Sequence, residues 1–134
     1  MRAFDKKSYI DSDVSMIELD NLSSRINYAL YPHATLYQNQ EFEAVDIENN
    51  SQDLIISNPP FGEKKVFDND RKHLSGLTLH NYFITRSVEC LKAGGLFYVI
   101  VSTSFLDAKN SSNREKIAQQ ATLLHAIRLP KAVF

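Results

Sequence analysis

Asp53-Leu54-Ile55-Ile56-Ser57 runs directly into Asn58-Pro59-Pro60-Phe61-Gly62, and the reading of that junction decides the fold. A short apolar run bounded by turn residues is the pattern of a strand covered on both faces, as in a parallel sheet. Asn58 offers a side-chain carbonyl oxygen, and Pro59, which lacks a backbone N–H, still offers its main-chain carbonyl. Each proline restricts its own φ and disfavours the helical region for the residue before it, so two acceptors are held in place before any ligand arrives. Phe61 adds a flat apolar face. An Asn-Pro-Pro turn needs no chemistry to exist. A complete tetrapeptide after a buried-type strand, with an aromatic and then Gly62, favours a site over a plain turn.

Outward from this strand, helical and extended patterns alternate. Val14 to Leu19 reads as a strand, and Asp20 caps a helix with Leu22, Ile26, Ala29 and Leu30 at helical spacing as its apolar stripe. Tyr31-Pro32 ends that helix, and Ala34 to Gln38 reads as a second strand. Glu63 to Gly76 has no consistent periodicity and many charges, which predicts a long, mobile loop. A helix from about Leu79 to Leu91 follows, with Tyr82, Phe83, Val88, Cys90 and Leu91 on its buried side and Ala93-Gly94-Gly95 as its terminator. Leu96 to Val101 is apolar at every position and predicts a parallel strand covered on both faces. Asn113 to Ala121 predicts another helix and Leu124 to Leu129 a fifth strand. The fold class is therefore α/β, a mostly parallel Rossmann-like sheet with helices on both faces. Ligands of such sheets bind beyond the carboxyl ends of the strands, where Glu18, Asn58 and Ser102 fall.

A chain of 134 residues with 43% hydrophobic content can bury one sizeable core and is read as a single domain. No apolar stretch approaches the ~20 residues that span a bilayer, and the start lacks the apolar core of a secretory signal, so no membrane partner and a cytoplasmic location are expected. Cys90 is the only cysteine, which excludes an internal disulfide. The four histidines show no ligand spacing, so no metal is expected. A formal net charge of −1 is poor for wrapping nucleic acid and predicts weak DNA binding by this chain alone. Lys64-Lys65 with Arg71-Lys72-His73 is the local exception, interrupted by Glu63, Asp68 and Asp70.

The chain resembles the catalytic domain of S-adenosylmethionine-dependent DNA adenine methyltransferases, as found in type I modification subunits and helicase-associated methylases. The resemblance runs through Ile17-Glu18-Leu19-Asp20, Ala29-Leu30-Tyr31-Pro32, Gln40 to Glu43 and Asp53 to Gly62. It continues through Leu79 to Ile84, Gly94-Gly95-Leu96 and Ala126 to Pro130. It implies that Asn58, Pro59, Pro60 and Phe61 are the catalytic tetrapeptide, holding the exocyclic amino group of a flipped adenine. That amino group is a poor nucleophile because its lone pair is delocalised, and two acceptors on its hydrogens favour the pyramidal nitrogen of the transition state. Phe61 would face the base. The resemblance further implies S-adenosylmethionine as cofactor. Glu18 would accept from its ribose hydroxyls, Glu41 and Phe42 would hold its adenine, with Glu43 an equal candidate for the acidic role, and Asn58 would sit near the transferred methyl.

One departure is large. Methyltransferases of this kind begin with a further strand and a glycine-rich turn, and the first glycine here is Gly62. Residues 1–134 are therefore expected to be a partial catalytic domain lacking the first strand, with residues 1–13 a flexible segment outside the core. Losing a central strand leaves two edges open, between the strand ending at Glu18 and the one ending at Ser57. Either those strands pair directly, or the N-terminal segment fills the gap, or a partner does, a second copy of the chain or a missing segment. The expected function is a piece of a DNA adenine methyltransferase, inactive alone. The alternatives are methylation of protein glutamine or of an RNA base, and a non-catalytic binding or assembly remnant.

Overall fold

The computed structural model describes residues 10–109 and 111–130. The chain divides into two compact units, residues 1–46 and 47–134. Most of residues 1–13, expected as a flexible segment, lie outside the described residues.

In the first unit, β1 (Ser15–Glu18) leads into α1 (Asn21–Leu30), which returns the chain to β2 (Thr35–Gln38), parallel to β1 with Ser15 opposite Thr35 and Glu18 opposite Gln38. Parallel neighbours need such a crossover. Asp20 caps α1 as its position predicts, accepting from the Ser23 amide at 2.7 Å, and that bond lowers its carboxyl below the ordinary range. Asn39 then turns the chain at φ 55°, a left-handed conformation that Asn tolerates better than most residues. A single 3-10 turn, Phe42–Ala44, precedes the buried Val45.

The apolar stripe of α1 is not buried. Leu22, Ile26 and Leu30 are exposed, and the helix instead turns Ser24 inward, where its hydroxyl donates to the Glu18 carbonyl at 3.1 Å. Two strands of four residues offer too little surface to cover a ten-residue helix. The helix is held here by its cap and one polar contact.

In the second unit, β3 (Gln52–Ser57) and β4 (Leu91–Val99) run parallel, joined by α2 (Leu79–Cys90). Two short helices follow, α3 (Thr103–Asp107), which the sequence did not predict, and α4 (Ser112–Ala118), which overlaps the expected span of 113–121. The core gathers around α2. Tyr82, Ile84, Val88 and Cys90 are buried with Val66 and Leu74. Thr85, Arg86 and Ser87 are buried too, so α2 is enclosed almost all round rather than along one side.

α2 stops at Cys90, before the Ala93-Gly94-Gly95 terminator predicted for it. The amides of Asn50 and Ser51 donate to the carbonyls of Glu89 and Cys90 at 3.0 and 2.9 Å. Those are carbonyls a helix end leaves unpaired, so no glycine is needed to close it. Arg86, buried, donates to the carbonyl of Ile47 and to Asn49, tying the same segment to the helix. Gly94 and Gly95 fall inside β4, where the register jumps from Gln52 opposite Leu91 to Leu54 opposite Leu96. A Cβ on Gly95 would lie 3.0 Å from the Gln52 carbonyl oxygen. The glycine therefore permits the bulged chain to close against β3.

Two further expectations fail. Leu54, Ile56, Leu96 and Tyr98 share one exposed face, so β3 and β4 are not covered on both sides in the described structure. Leu124 to Leu129 forms no strand, and Leu124 and Ile127 are exposed. Among the described residues the architecture is mixed α/β with parallel strands, in two sheets of two.

Candidate functional site

β3 ends at Ser57, and Asn58 is the first residue beyond the sheet. The Ile100 amide donates to the Ser57 carbonyl at 3.1 Å, so the turn starts from a fixed point shared with the end of β4. Pro59 is buried, while Asn58 and Pro60 are exposed and Phe61 is 54% exposed. The buried proline anchors the tetrapeptide and leaves the amide and the ring on either side outward. Among the described residues the Asn58 side chain has no hydrogen-bond partner, so both its oxygen and its nitrogen remain available. Gly62 follows at φ 153°, a conformation that strains any residue with a side chain.

Ser102 lies at the same end of the β3–β4 pair, capping α3 by position, with its hydroxyl 2.6 Å from that of Ser104. Asn58 and Ser102 thus do fall beyond the carboxyl ends of parallel neighbours, as expected.

Glu18, Glu41 and Phe42 belong to the first unit. Glu18 is the last residue of β1, and its Oε1 accepts from the Asp20 amide at 2.9 Å. Its second carboxylate oxygen makes no hydrogen bond among the described residues. Glu41 is exposed, in the position preceding the 3-10 turn that carries Phe42 and Glu43, both half-buried. The candidates for cofactor and for base therefore divide between the two units. A shallow depression in the first unit, lined by Arg25, Tyr28 and Gln38, contains none of them. Among the described residues no three His, Cys, Asp or Glu side chains gather as a metal site requires. No helix among them is long and apolar enough to cross a membrane.

The segment after the tetrapeptide is a loop, as predicted, but an organised one. The Leu79 amide donates to the Lys64 carbonyl at 2.8 Å, Lys65 bridges Thr78, and the Val66 amide donates to Leu77 at 2.9 Å. Its centre is Asp68, which is buried. Asp68 Oδ1 accepts from the amides of Asp70 and Arg71 at 2.9 and 2.8 Å. Its Oδ2 accepts from the Tyr82 hydroxyl at 2.6 Å and from Arg71 Nη1 at 2.9 Å. Burial alone would raise the Asp68 carboxyl. The bonds from Tyr82 and Arg71 outweigh it and hold the group well below its usual range. Burial and the adjacent carboxylate together push the Tyr82 hydroxyl far above its usual range.

This network changes the reading of the basic cluster. Arg71 is committed to Asp68, and His73 lies 2.7 Å from Glu89. Lys64, Lys65 and Lys72 remain exposed with no ion pair among the described residues. Asp68 and Tyr82 lie fourteen positions apart, so no local sequence pattern pairs them. The Asp68-Asn69-Asp70-Arg71 spacing alone signals an Asx turn.

A family model described as the Eco57I restriction-modification methylase matches residues 2–134. The chain belongs to that family. The match supports a DNA methyltransferase-like domain, and the expected resemblance holds. A methylase family implies a methyl donor of the S-adenosylmethionine kind in general. The chain is also similar to the Defense against restriction protein B of Escherichia phage P1, at 30% identity over 135 residues. That alignment covers 98% of this chain and 6% of the phage protein, so the chain spans a small part of its relative's length. No solved structure is matched.

Proposed function

We propose that these residues hold the target base of an adenine-specific DNA methyltransferase, which transfers a methyl group from S-adenosylmethionine to the exocyclic amino nitrogen. The observation that carries this reading is the exposed, unpartnered Asn58 amide, fixed between the end of β3 and the buried Pro59. The Asn58 oxygen and the Pro59 carbonyl accept the two amino hydrogens, and Phe61 presents its exposed ring to the lifted base. Fixing both acceptors in advance favours the tetrahedral nitrogen over the planar one.

The donor supplies an electrophilic methyl on a sulfonium when bound. Glu18 fits it in part, since one of its carboxylate oxygens is free to accept from a ribose hydroxyl. Glu41, with Glu43 as its alternative, and Phe42 would hold the donor's adenine. Residues 1–46 contain no glycine, so the close backbone approach that the methionine end needs must come from elsewhere. That observation also favours a second reading, a remnant that holds a base or assembles with a partner without transferring methyl.

Two measurements separate these. The full-length protein, given labelled S-adenosylmethionine and duplex DNA, should yield N6-methyladenine on digestion, and the Asn58→Ala variant should lose about 10²–10³-fold in rate with donor affinity kept. Methyl appearing on glutamine or on an RNA base instead would overturn the adenine assignment. Titration of the 134-residue chain with S-adenosylmethionine should show no micromolar binding, and tight binding would rule out the remnant.

A further inference from the structure

Phe67 is 77% exposed, while Val66 and Asp68 on either side of it are 2% and 4% exposed. Successive side chains of an extended segment point in opposite directions, so burying both neighbours drives Phe67 outward. The loop that carries it is closed at its stem by the Lys64 and Lys65 pairings and pinned inside by Asp68, whose amide donates to Ser75 Oγ at 3.2 Å. A phenylalanine held out into water by a rigid frame gains nothing for the fold.

The surroundings indicate what it would meet. Lys64, Lys65 and Lys72 are exposed on the same loop with no ion pair, whereas its buried carboxylate, Asp68, is already neutralised by Arg71. Glu63 and Asp70 remain as the opposing charges, so the free cations outnumber the free anions. An apolar protein partner would call for further exposed apolar residues on the loop, and Gly62 to Gly76 offers none besides Phe67. A flat ring among unpaired ammonium groups fits a nucleic-acid strand, with a base on the ring and phosphates on the lysines.

We propose that Phe67 is a second stacking platform, distinct from Phe61, that receives an unpaired DNA base while Lys64, Lys65 and Lys72 take the adjoining phosphates. This rests on the reading of Asn58 to Phe61 as a base-holding site. Phe67 is a binding residue only. It lies six positions beyond Phe61 in the chain, and its buried neighbours Val66 and Asp68 turn it outward.

The test is fluorescence anisotropy of the 134-residue chain with a short fluorescein-labelled single-stranded DNA at low salt. Phe67→Ala should weaken binding about fivefold or more, and Phe67→Tyr should restore it, because the flat face is kept. Lys64→Gln and Lys65→Gln should each lower the salt slope by about 0.7. All variants should melt as the wild type does, since the three side chains are exposed. Equal binding by wild type and Phe67→Ala overturns the proposal, and so does failure of the wild type to bind DNA, including the case in which it binds only a protein. Adenine methylation by the full-length protein with binding indifferent to Phe67 would refute this inference alone. Phe67-dependent binding without adenine methylation would refute the catalytic reading alone.

Discussion

Residues 58–61 and residues 64–78 adjoin in sequence and use their polar atoms in opposite ways. The loop spends its polar groups on itself: Asp68 alone accepts four hydrogen bonds, from two amides, a guanidinium and a phenol. The tetrapeptide spends few. Its Asn58 is exposed and unpartnered, although it sits between a strand end and a buried proline that could have supplied neighbours. A saturated network fixes shape, and an unsatisfied amide on a fixed frame leaves its donors and acceptor open. Proximity in sequence therefore says little about how residues spend their polar groups.

Stability measurements can break this contrast. Asp68→Ala should have the largest effect, about 3–5 kcal/mol in urea unfolding, because it removes the carboxylate shared by a mostly buried guanidinium and a buried phenol. A loss near zero would mean that the loop is held by its backbone bridges alone. Tyr82→Phe, which removes one bond to a charged group, should cost about 1.5–3 kcal/mol. Its pH dependence has a definite sign. The Tyr82 hydroxyl is raised above its ordinary 10.0, so its contribution is complete below that pH and is lost as pH rises through the folded value. The gap between wild type and Tyr82→Phe should accordingly close in strong alkali. Asp68 is lowered from 3.8, so the contribution it makes is complete above that pH and is lost as pH falls through the folded value. The gap between wild type and Asp68→Ala should narrow in strong acid. Asn58→Ala should have the smallest effect on stability, within about 0.5 kcal/mol, while removing the methyl transfer proposed above. A large destabilisation there would show that Asn58 is structural after all.

Local signals in the sequence were reliable where one residue type does one job. Asp20 caps α1, Asn58 follows the strand, and β1, β2, β3 and α2 lie within a residue or two of their expected places. The failures came where distant segments decide the outcome. The apolar run at Leu124 to Leu129 reads as a strand but has no neighbour to pair with among the described residues. The stripe on α1 reads as buried, but the sheet beneath it is only two strands wide. Asp68 and Tyr82 meet only because the loop closes at Lys65 and Thr78, and no periodicity encodes that closure. The same holds for Phe67, which looks like any apolar residue until its two neighbours are seen to be buried.

The closure of α2 by residues 50 and 51 has a consequence for how the second unit comes apart. A helix normally frays from its ends, one turn at a time, at little cost. Here the last carbonyls of α2 are bonded to amides at the entrance of β3, and β4 begins at the very next residue, Leu91. The end of the helix cannot loosen without releasing both strands. In native-state hydrogen exchange the amides of Asn50, Ser51 and the last turn of α2 should therefore open in one cooperative step, with the same free energy as the β3–β4 ladder.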